Sequence, residues 1–94
     1  MDFIFDSGRI YLENTGGELL AELTYEEISE GTVNIVKVFV DESLRGKGVA
    51  GKLMTELVEM LRKDERKAYP TCSYAVKWFR ENLDSHDVYI DIME

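Results

Sequence analysis

The sequence predicts an α+β fold, with two helices packed on a mostly antiparallel sheet. Residues 3–40 read as short apolar strands separated by turns, residues 46–63 place apolar side chains at helical spacing, and a short strand and a second helix follow. Hairpin strands followed by helices favour an α+β layout over a doubly wound parallel sheet. The expected order is β-β-β-β-α-β-α in one domain, residues 1–94, because this length supports a single core.

Turn residues separate the first strands. Three strands are expected at residues 3–5, 9–13 and 19–25, with turns at residues 6–8, 14–17 and 26–31. The fourth strand, residues 33–40, is the strongest. We expect Val36, Val38 and Val40 on one of its faces and Ile35 and Phe39 on the other. Apolar residues on both faces predict a central strand that is covered on both sides.

Two helices are expected in the second half of the chain. The first runs from about Gly46 to Lys63 and has one apolar face. A short strand is expected at residues 67–71. The second helix opens at Cys72 or Ser73 and continues to about residue 82.

Composition limits the classes of function. Apolar residues make up 45% of the 94 residues, so a packed core is expected despite the net charge of −8. We expect no membrane span and no signal peptide, because apolar runs are short and the first residues are acidic. A single cysteine, Cys72, excludes an internal disulfide and favours a cytoplasmic setting. The acidic balance speaks against a nucleic-acid partner.

Charge is unevenly distributed. Residues 1–44 carry ten acids against two bases, whereas residues 45–80 carry nine bases against four acids. A locally basic middle suits one anionic ligand, although a solvated helix face explains the same pattern.

A glycine-rich loop lies in this basic middle, and its sequence is Arg45-Gly46-Lys47-Gly48-Val49-Ala50-Gly51. Backbone amides at a helix start lack intrahelical acceptors, and glycines let a ligand approach them closely. Three glycines in a first helical turn cost about 1 kcal/mol each relative to alanine. This cost favours a phosphate site over a merely flexible connection.

The loop also satisfies the dinucleotide pattern G-x-G-x-x-G, but its context does not. Five residues separate Val40 from Gly46, and no acid stands at the end of the next strand. A P-loop is excluded because no Gly-Lys-Ser/Thr follows.

The stretch from Val38 to Ala50 resembles the pyrophosphate motif of the GNAT acetyltransferase superfamily, Q/R-x-x-G-x-G/A after the fourth strand. Gly46 and Gly48 fit its glycine positions, while Ser43 stands where Gln or Arg is usual. The second half, with Pro70-Thr71-Cys72-Ser73-Tyr74-Ala75, Trp78-Phe79 and Asp87-Val88-Tyr89, is similar to the small YjdJ-type branch of that superfamily.

The resemblance implies acetyl-CoA as ligand and no metal. It implies that the pantetheine arm lies along Val38, Phe39 and Val40, and that the thioester points toward Cys72 and the start of the last helix. The pyrophosphate would take the amides of residues 45–50. The implied cofactor-binding residues are Val38, Phe39, Val40, Arg45, Gly46, Lys47, Gly48, Val49, Ala50 and Ser73.

Typical superfamily members have two helices between their first strands, and these helices build the acceptor pocket. Here residues 6–8 form only a hairpin turn. The amine acceptor is therefore expected to be exposed, protein-borne or absent.

Cys72 is the candidate catalytic residue, because a thiol at a helix start can take an acetyl group as a nucleophile. A small buried apolar residue is the alternative. Lys37 stands where the branch implies a histidine, and an outward lysine is the simpler interpretation. Tyr69, Tyr74 and Tyr89 are candidate acids for the leaving thiolate, with core packing favoured. His86 is interpreted as a loop residue without metal partners.

Two functions remain open. One is an acetyl-CoA-dependent N-acetyltransferase acting on an unidentified amine or protein, and the other is a non-catalytic acyl-CoA-binding module. Cys72 favours the first, while Lys37 and the missing acceptor helices favour the second.

Overall fold

A computed structural model describes residues 2–90 of the chain. Five strands form one sheet in the order β1-β2-β3-β4-β5. The strands are β1 Ile4–Asp6, β2 Arg9–Glu13, β3 Leu19–Ser29, β4 Thr32–Val40 and β5 Lys67–Ala68. The first four strands are antiparallel neighbours, and β5 pairs in parallel with the start of β4. The predicted α+β class is confirmed.

Two α-helices follow, α1 at Val49–Lys63 and α2 at Ser73–Glu81. Short 3-10 helices lie at Glu42–Leu44, before α1, and at Leu83–Val88, after α2. Within residues 2–90 no helix is long and apolar enough to cross a bilayer.

One face of the sheet builds the core. Ile10 pairs across strands with Leu23, and Leu23 pairs with Val38, so these side chains share a face. They join the buried sides of α1 and α2, including Leu53 and Phe79, in one cluster. The apolar stripe of α1 matches its predicted helical periodicity.

The opposite face of the sheet carries no helix among residues 2–90, so the expectation that β4 is covered on both sides is wrong. A β-bulge explains the error. Thr24 pairs with Lys37 but the next residue, Tyr25, pairs with Ile35, which leaves Val36 without a partner. The extra residue shifts the alternation, so Ile35 and Val38 both face the core while Val36 is exposed.

Three predicted boundaries also differ. The third strand continues to Ser29, where residues 26–31 were expected to turn. The first helix begins at Val49, not near Gly46, because Gly48 adopts a left-handed backbone as its N-cap. β5 is only two residues long, although the chain after it stays beside β4 as far as Ile35, through hydrogen bonds of the Tyr69, Thr71 and Cys72 amides. The second helix lies within a residue of its prediction.

Candidate functional site

The glycine loop lies between the end of β4 and the start of α1. Gly46 has a φ of +82° and Gly48 a φ of +74°, a backbone region that side-chain-bearing residues rarely occupy. A Cβ atom at either position would meet nothing within 4 Å. Both glycines precede the helix, so the expected helix-propensity cost does not apply to them. They are required by the turn, and they leave open space beside it.

Asp41 fixes the turn that leads into this loop. Its carboxylate accepts hydrogen bonds from the Ser43 amide at 3.0 Å and from Ser43 Oγ at 2.6 Å. These bonds hold the pKa of Asp41 below its usual value. Ser43, which stands where the resemblance expects Gln or Arg, is therefore occupied in closing the Glu42–Leu44 turn.

Several backbone amides around the loop have no acceptor. The amides that donate to no protein acceptor within residues 2–90 are those of Gly46, Gly48, Val49, Ala50 and Gly51. They lie at the positive end of the α1 dipole. The exposed side chains of Arg45, Lys47 and Lys52 form no ion pair in the described part of the chain. Free amides, a helix dipole and unpaired cations together make this a site suited to an anion.

A cavity of about 250 Å³ opens beside the loop. It is lined by Val40, Leu44, Arg45, Gly46, Gly48, Val49, Ala50, Gly51 and Tyr74. Six of the ten predicted cofactor-binding residues line it, while Val38, Phe39, Lys47 and Ser73 do not. Sequence reasoning missed Leu44, Gly51 and Tyr74 as lining residues.

The second half of β4 has an open edge that runs toward this cavity. The Asp41 amide donates to Leu20 O on β3 at 2.7 Å, so the main chain of Val40 faces away from β3. Main-chain groups of successive residues in a strand point alternately to its two edges, so those of Val38 also face away from β3. β5 pairs only with Thr32 and Val33, so no strand within residues 2–90 takes up these groups. The main chain of Phe39, in contrast, pairs with β3.

Tyr74 belongs to the cavity wall and not to the core. Tyr74 is 37% exposed, and its hydroxyl oxygen would lie 4.0 Å from a Cβ atom added at Gly51. Partial burial raises its pKa, with smaller contributions from Glu81 and Cys72. The phenol therefore keeps its proton at neutral pH and can act as a donor.

Cys72 is the N-cap residue of α2 and carries a free, half-buried thiol. Its amide and that of Thr71 donate to Ile35 O, at 3.2 and 3.3 Å. Cys72 therefore lies beside Ile35, the residue of β4 after which β3 is the strand's remaining neighbour within residues 2–90. It does not line the 250 Å³ cavity, and neither does the neighbouring Ser73.

Lys37 points away from the helices and meets a buried carboxylate. Its Nζ lies 3.4 Å from Glu22 Oε1, while Arg9 Nε lies 2.6 Å from Glu22 Oε2. The Arg9 Nε hydrogen is poorly directed for a hydrogen bond, so we treat the pair as an ion pair. The Arg9 guanidinium also stacks over Tyr11 at 3.6 Å.

A larger cavity, about 550 Å³, lies between α1, α2 and the Leu83–Val88 turn, away from the glycine loop. Arg62 is part of its wall and is engaged by protein groups. Its guanidinium donates to both Asp87 carboxylate oxygens, at 2.7 and 2.9 Å, and to Glu59 at 2.9 Å. This arrangement holds the turn onto α1, so we interpret the cavity wall as structural.

The remaining candidates lie outside the site. A His86 ring nitrogen bonds Phe79 O at 2.7 Å, and Tyr89 stacks on Phe79 at 4.6 Å. Tyr69 continues the chain beside β4, with its amide bonded to Val33 O at 2.8 Å. Residues 2–90 bring together no group of three His, Cys, Asp or Glu side chains suited to a metal ion.

Comparisons with known proteins give a consistent result. The sequence model of the family described as GCN5-related N-acetyl-transferase matches residues 9–88. Among curated relatives, "Protein NATD1" of Xenopus tropicalis is 32% identical over 62 residues, 66% of this chain and 57% of that protein. "Protein NATD1" of Danio rerio is 31% identical over 71 residues, 76% and 63% of the respective chains. The match thus spans about three fifths of these relatives' length.

Solved structures share the fold. The solution structure of a GCN5-like protein of Staphylococcus aureus, proposed as an N-acetyltransferase, has a TM-score of 0.85 and 27% identity. That match covers 99% of this chain and 91% of the other. A GNAT-family acetyltransferase of S. aureus Mu50 has a TM-score of 0.64 and 14% identity, covering 79% and 50% of the chains, and supports the fold alone.

Proposed function

The chain belongs to the GCN5-related N-acetyltransferase family, and on that premise we propose that it binds acetyl-CoA in the glycine loop and transfers the acetyl group to an amine. The observation that carries the proposal is the set of five acceptor-free amides beside an open cavity, from Gly46 to Gly51. The small YjdJ-type branch and a reducing, cytoplasmic setting for the free thiol of Cys72 are part of the same proposal.

The pyrophosphate would accept hydrogen bonds from the free amides between Gly46 and Gly51. The expected range, residues 45–50, needs a correction, because the amides of Arg45 and Lys47 already donate to Glu42 O at 3.2 Å and Leu44 O at 3.4 Å. A diphosphate needs several donors and positive charge, and the α1 start offers amides, a dipole and three cationic side chains that form no ion pair within residues 2–90. The free Cβ directions of Gly46 and Gly48 leave room for its oxygens.

The pantetheine arm would continue along the open edge of β4. Its amide groups can pair with the main chain of Val38 and Val40 as an added strand does. Phe39 would contribute through strand geometry only, since its main chain already pairs with β3. This direction leads the thioester from Gly46 toward Ile35 and Cys72.

Cys72 is the proposed nucleophile of a two-step transfer. Its thiolate attacks the acetyl carbonyl, a new C–S bond forms, and the C–S bond to CoA breaks with the electron pair on the CoA sulfur. A neutral amine then attacks the Cys72 thioester, so that a C–N bond forms and the C–S bond to Cys72 breaks with its electron pair on sulfur. The nitrogen gives up one proton to water, which leaves the amide and the Cys72 thiolate. Its position beside Ile35, at the end of the proposed pantetheine path, supports this role.

Tyr74 is the proposed proton donor to the departing CoA sulfur. Its raised pKa keeps the phenol protonated, and it lines the cavity beside α1. The transfer then ends with a neutral CoA thiol and a tyrosinate that regains its proton from water.

A non-catalytic acyl-CoA-binding module is the second candidate. The two-residue turn Ser7–Gly8 between β1 and β2 supports it, because the acceptor-pocket helices of typical members have no counterpart there. The ion pair of Lys37 with Glu22, at the position where the resemblance implies a histidine, supports it as well.

Two measurements test the proposal. Thermal unfolding with CoA, NAD and ATP tests the ligand. We expect stabilisation by CoA, and a response to NAD alone would contradict the proposal.

Intact mass after incubation with acetyl-CoA tests Cys72. We expect one hydroxylamine-sensitive acetyl group on the wild type and none on Cys72→Ser. CoA stabilisation without thiol release in the presence of amines would instead establish the binding module.

A further inference from the structure

Lys37 stands where β4 changes its surroundings. The chain after β5 makes its last hydrogen bonds to β4 at Ile35 O, from the Thr71 and Cys72 amides. The next residue, Val36, is the extra residue of the bulge, and Lys37 follows it. We call Ile35, where the chain after β5 leaves β4, the junction. The proposed pantetheine path leads toward it, and Lys37 is the first charged side chain after it.

The amine of Lys37 is only loosely held. Its side chain is 57% exposed, and 3.4 Å separates Nζ from Glu22 Oε1. Glu22, whose side chain is 10% exposed, lies closer to Arg9, at 2.6 Å. Because Arg9 alone can compensate the Glu22 charge, Lys37 can leave this contact without stranding a buried carboxylate. Its long flexible stem then lets the amine swing toward the open edge of β4.

The face that carries Lys37 is open. Within residues 2–90 no helix covers it, and the β1–β2 connection is only Ser7–Gly8. No helix among residues 2–90 therefore lies over this face between Lys37 and Ile35.

We propose that Lys37 is an internal acceptor, so that the protein acetylates its own Lys37. This rests on the proposed function, since it needs acetyl-CoA bound along the open half of β4. The ammonium first loses a proton to the Glu22 carboxylate or to water. The neutral amine then attacks the acetyl carbonyl, a C–N bond forms, and the C–S bond breaks with its electron pair on the sulfur. The nitrogen loses a second proton, through water, and the sulfur takes up one proton, so that the products are a neutral amide and a neutral CoA thiol.

The modification removes a positive charge from the sheet face. Acetyl-Lys37 can no longer pair with Glu22, which is then left to Arg9 alone. The modified protein therefore differs from the unmodified one at the place where an external amine would approach.

Peptide mapping after incubation of the full chain with acetyl-CoA tests this inference. We expect Lys37 to be acetylated at least about tenfold faster than exposed Lys63 at the far end of α1, because bound acetyl-CoA is held near Lys37. The rate should saturate with acetyl-CoA concentration. Gly48→Asp should lower the rate of Lys37 modification to the slow chemical background, which Lys63 shows in both proteins. Lys37→Arg should lose the modification and keep the thermal stabilisation by CoA.

The possible outcomes separate this inference from the proposed function. An unmodified Lys37 in a protein that CoA stabilises overturns the inference and leaves the proposed function standing. Equal Lys37 acetylation in wild type and Gly48→Asp also overturns it, because the reaction then needs no bound acetyl-CoA. Absence of both stabilisation and modification would defeat the proposed function and, with it, this inference.

Discussion

The two halves of β4 have different surroundings. Residues 32–35 pair with β3 on one edge and with β5 and the chain following it on the other, and Val33 and Ile35 are fully buried. Residues 37–40 pair with β3 alone, Val36 is the unpaired residue of the bulge, and the apolar side chains of residues 36–40 remain partly accessible. One strand therefore serves two purposes. Its first half stabilises the fold, and its second half keeps hydrogen-bonding groups available because the chain that follows β5 leaves β4 after Ile35.

Truncating a side chain at the junction should have the largest effect on stability. Ile35→Ala removes a fully buried side chain from the paired half and is expected to lower the free energy of unfolding by about 2–5 kcal/mol. Val36→Ala, one residue later at the exposed bulge, should cost less than about 1 kcal/mol. Urea unfolding of the two variants measures the difference. Equal losses would mean that the bulge does not separate the two halves.

A negative charge in the glycine loop should abolish CoA binding and leave the fold intact. Gly48→Asp is expected to abolish the stabilisation by CoA, which amounts to about 2.7 kcal/mol at a hundredfold excess over Kd. The carboxylate would stand where the pyrophosphate is proposed to bind.

Gly48→Asn is the matched control, because it has the same shape, tolerates the left-handed backbone as Asp does, and carries no charge. It should retain a larger share of the CoA stabilisation than Gly48→Asp. An Asp variant that CoA stabilises as well as wild type would place the ligand elsewhere.

The smallest effect is expected at Asp87, which links the Leu83–Val88 turn to α1 and to β5, the strand that pairs with the first half of β4. Arg62 binds its carboxylate, and Lys67 Nζ donates to its carbonyl oxygen at 2.7 Å. The bond from Arg62 holds the pKa of Asp87 below its usual value. A carboxyl whose pKa is lowered by folding stabilises the protein above about pH 4, and this contribution disappears as the pH falls through the lowered pKa.

Asp87→Asn should therefore flatten the loss of stability below pH 4 and lower Tm slightly at pH 7, since exposed ion pairs contribute little. Asp84→Asn is the control, because it removes the same charge from the same turn while Arg62 contacts only the carbonyl oxygen of Asp84. Equal acid profiles for the two variants would show that the Arg62–Asp87 pair is not what responds to pH.

Much of the fold follows from the sequence because local signals agree with it. The alternation in Arg9–Glu13 and the helical stripe of Ser73–Glu81 each predict their element within a residue. The end of β3 is different. Glu26 and Glu27 suggest a turn, but they belong to a hairpin whose exposed end tolerates polar side chains.

The bulge could not be predicted, because a shift of one residue leaves the composition of a valine-rich strand unchanged. The one indication in the sequence is Lys37. A charged residue in the middle of an apolar strand indicates that no helix covers the face on which it lies. The glycine loop was recognised because its motif is local. Tyr74 was missed as a lining residue because an aromatic residue on an amphipathic helix usually packs inward, and only the spacing of α1 and α2 turns it toward Gly51.

The two-residue turn Ser7–Gly8 has a consequence for selectivity. With the proposed site, acetyl-CoA would be held by the glycine loop and the open edge of β4, whereas few elements would enclose the acceptor. Such a protein would discriminate strongly between donors and weakly between acceptors. Which amine reacts would then depend on encounter frequency and on nucleophilicity at the working pH more than on molecular shape. Tethering or colocalisation, more than fit, would decide what such a protein modifies.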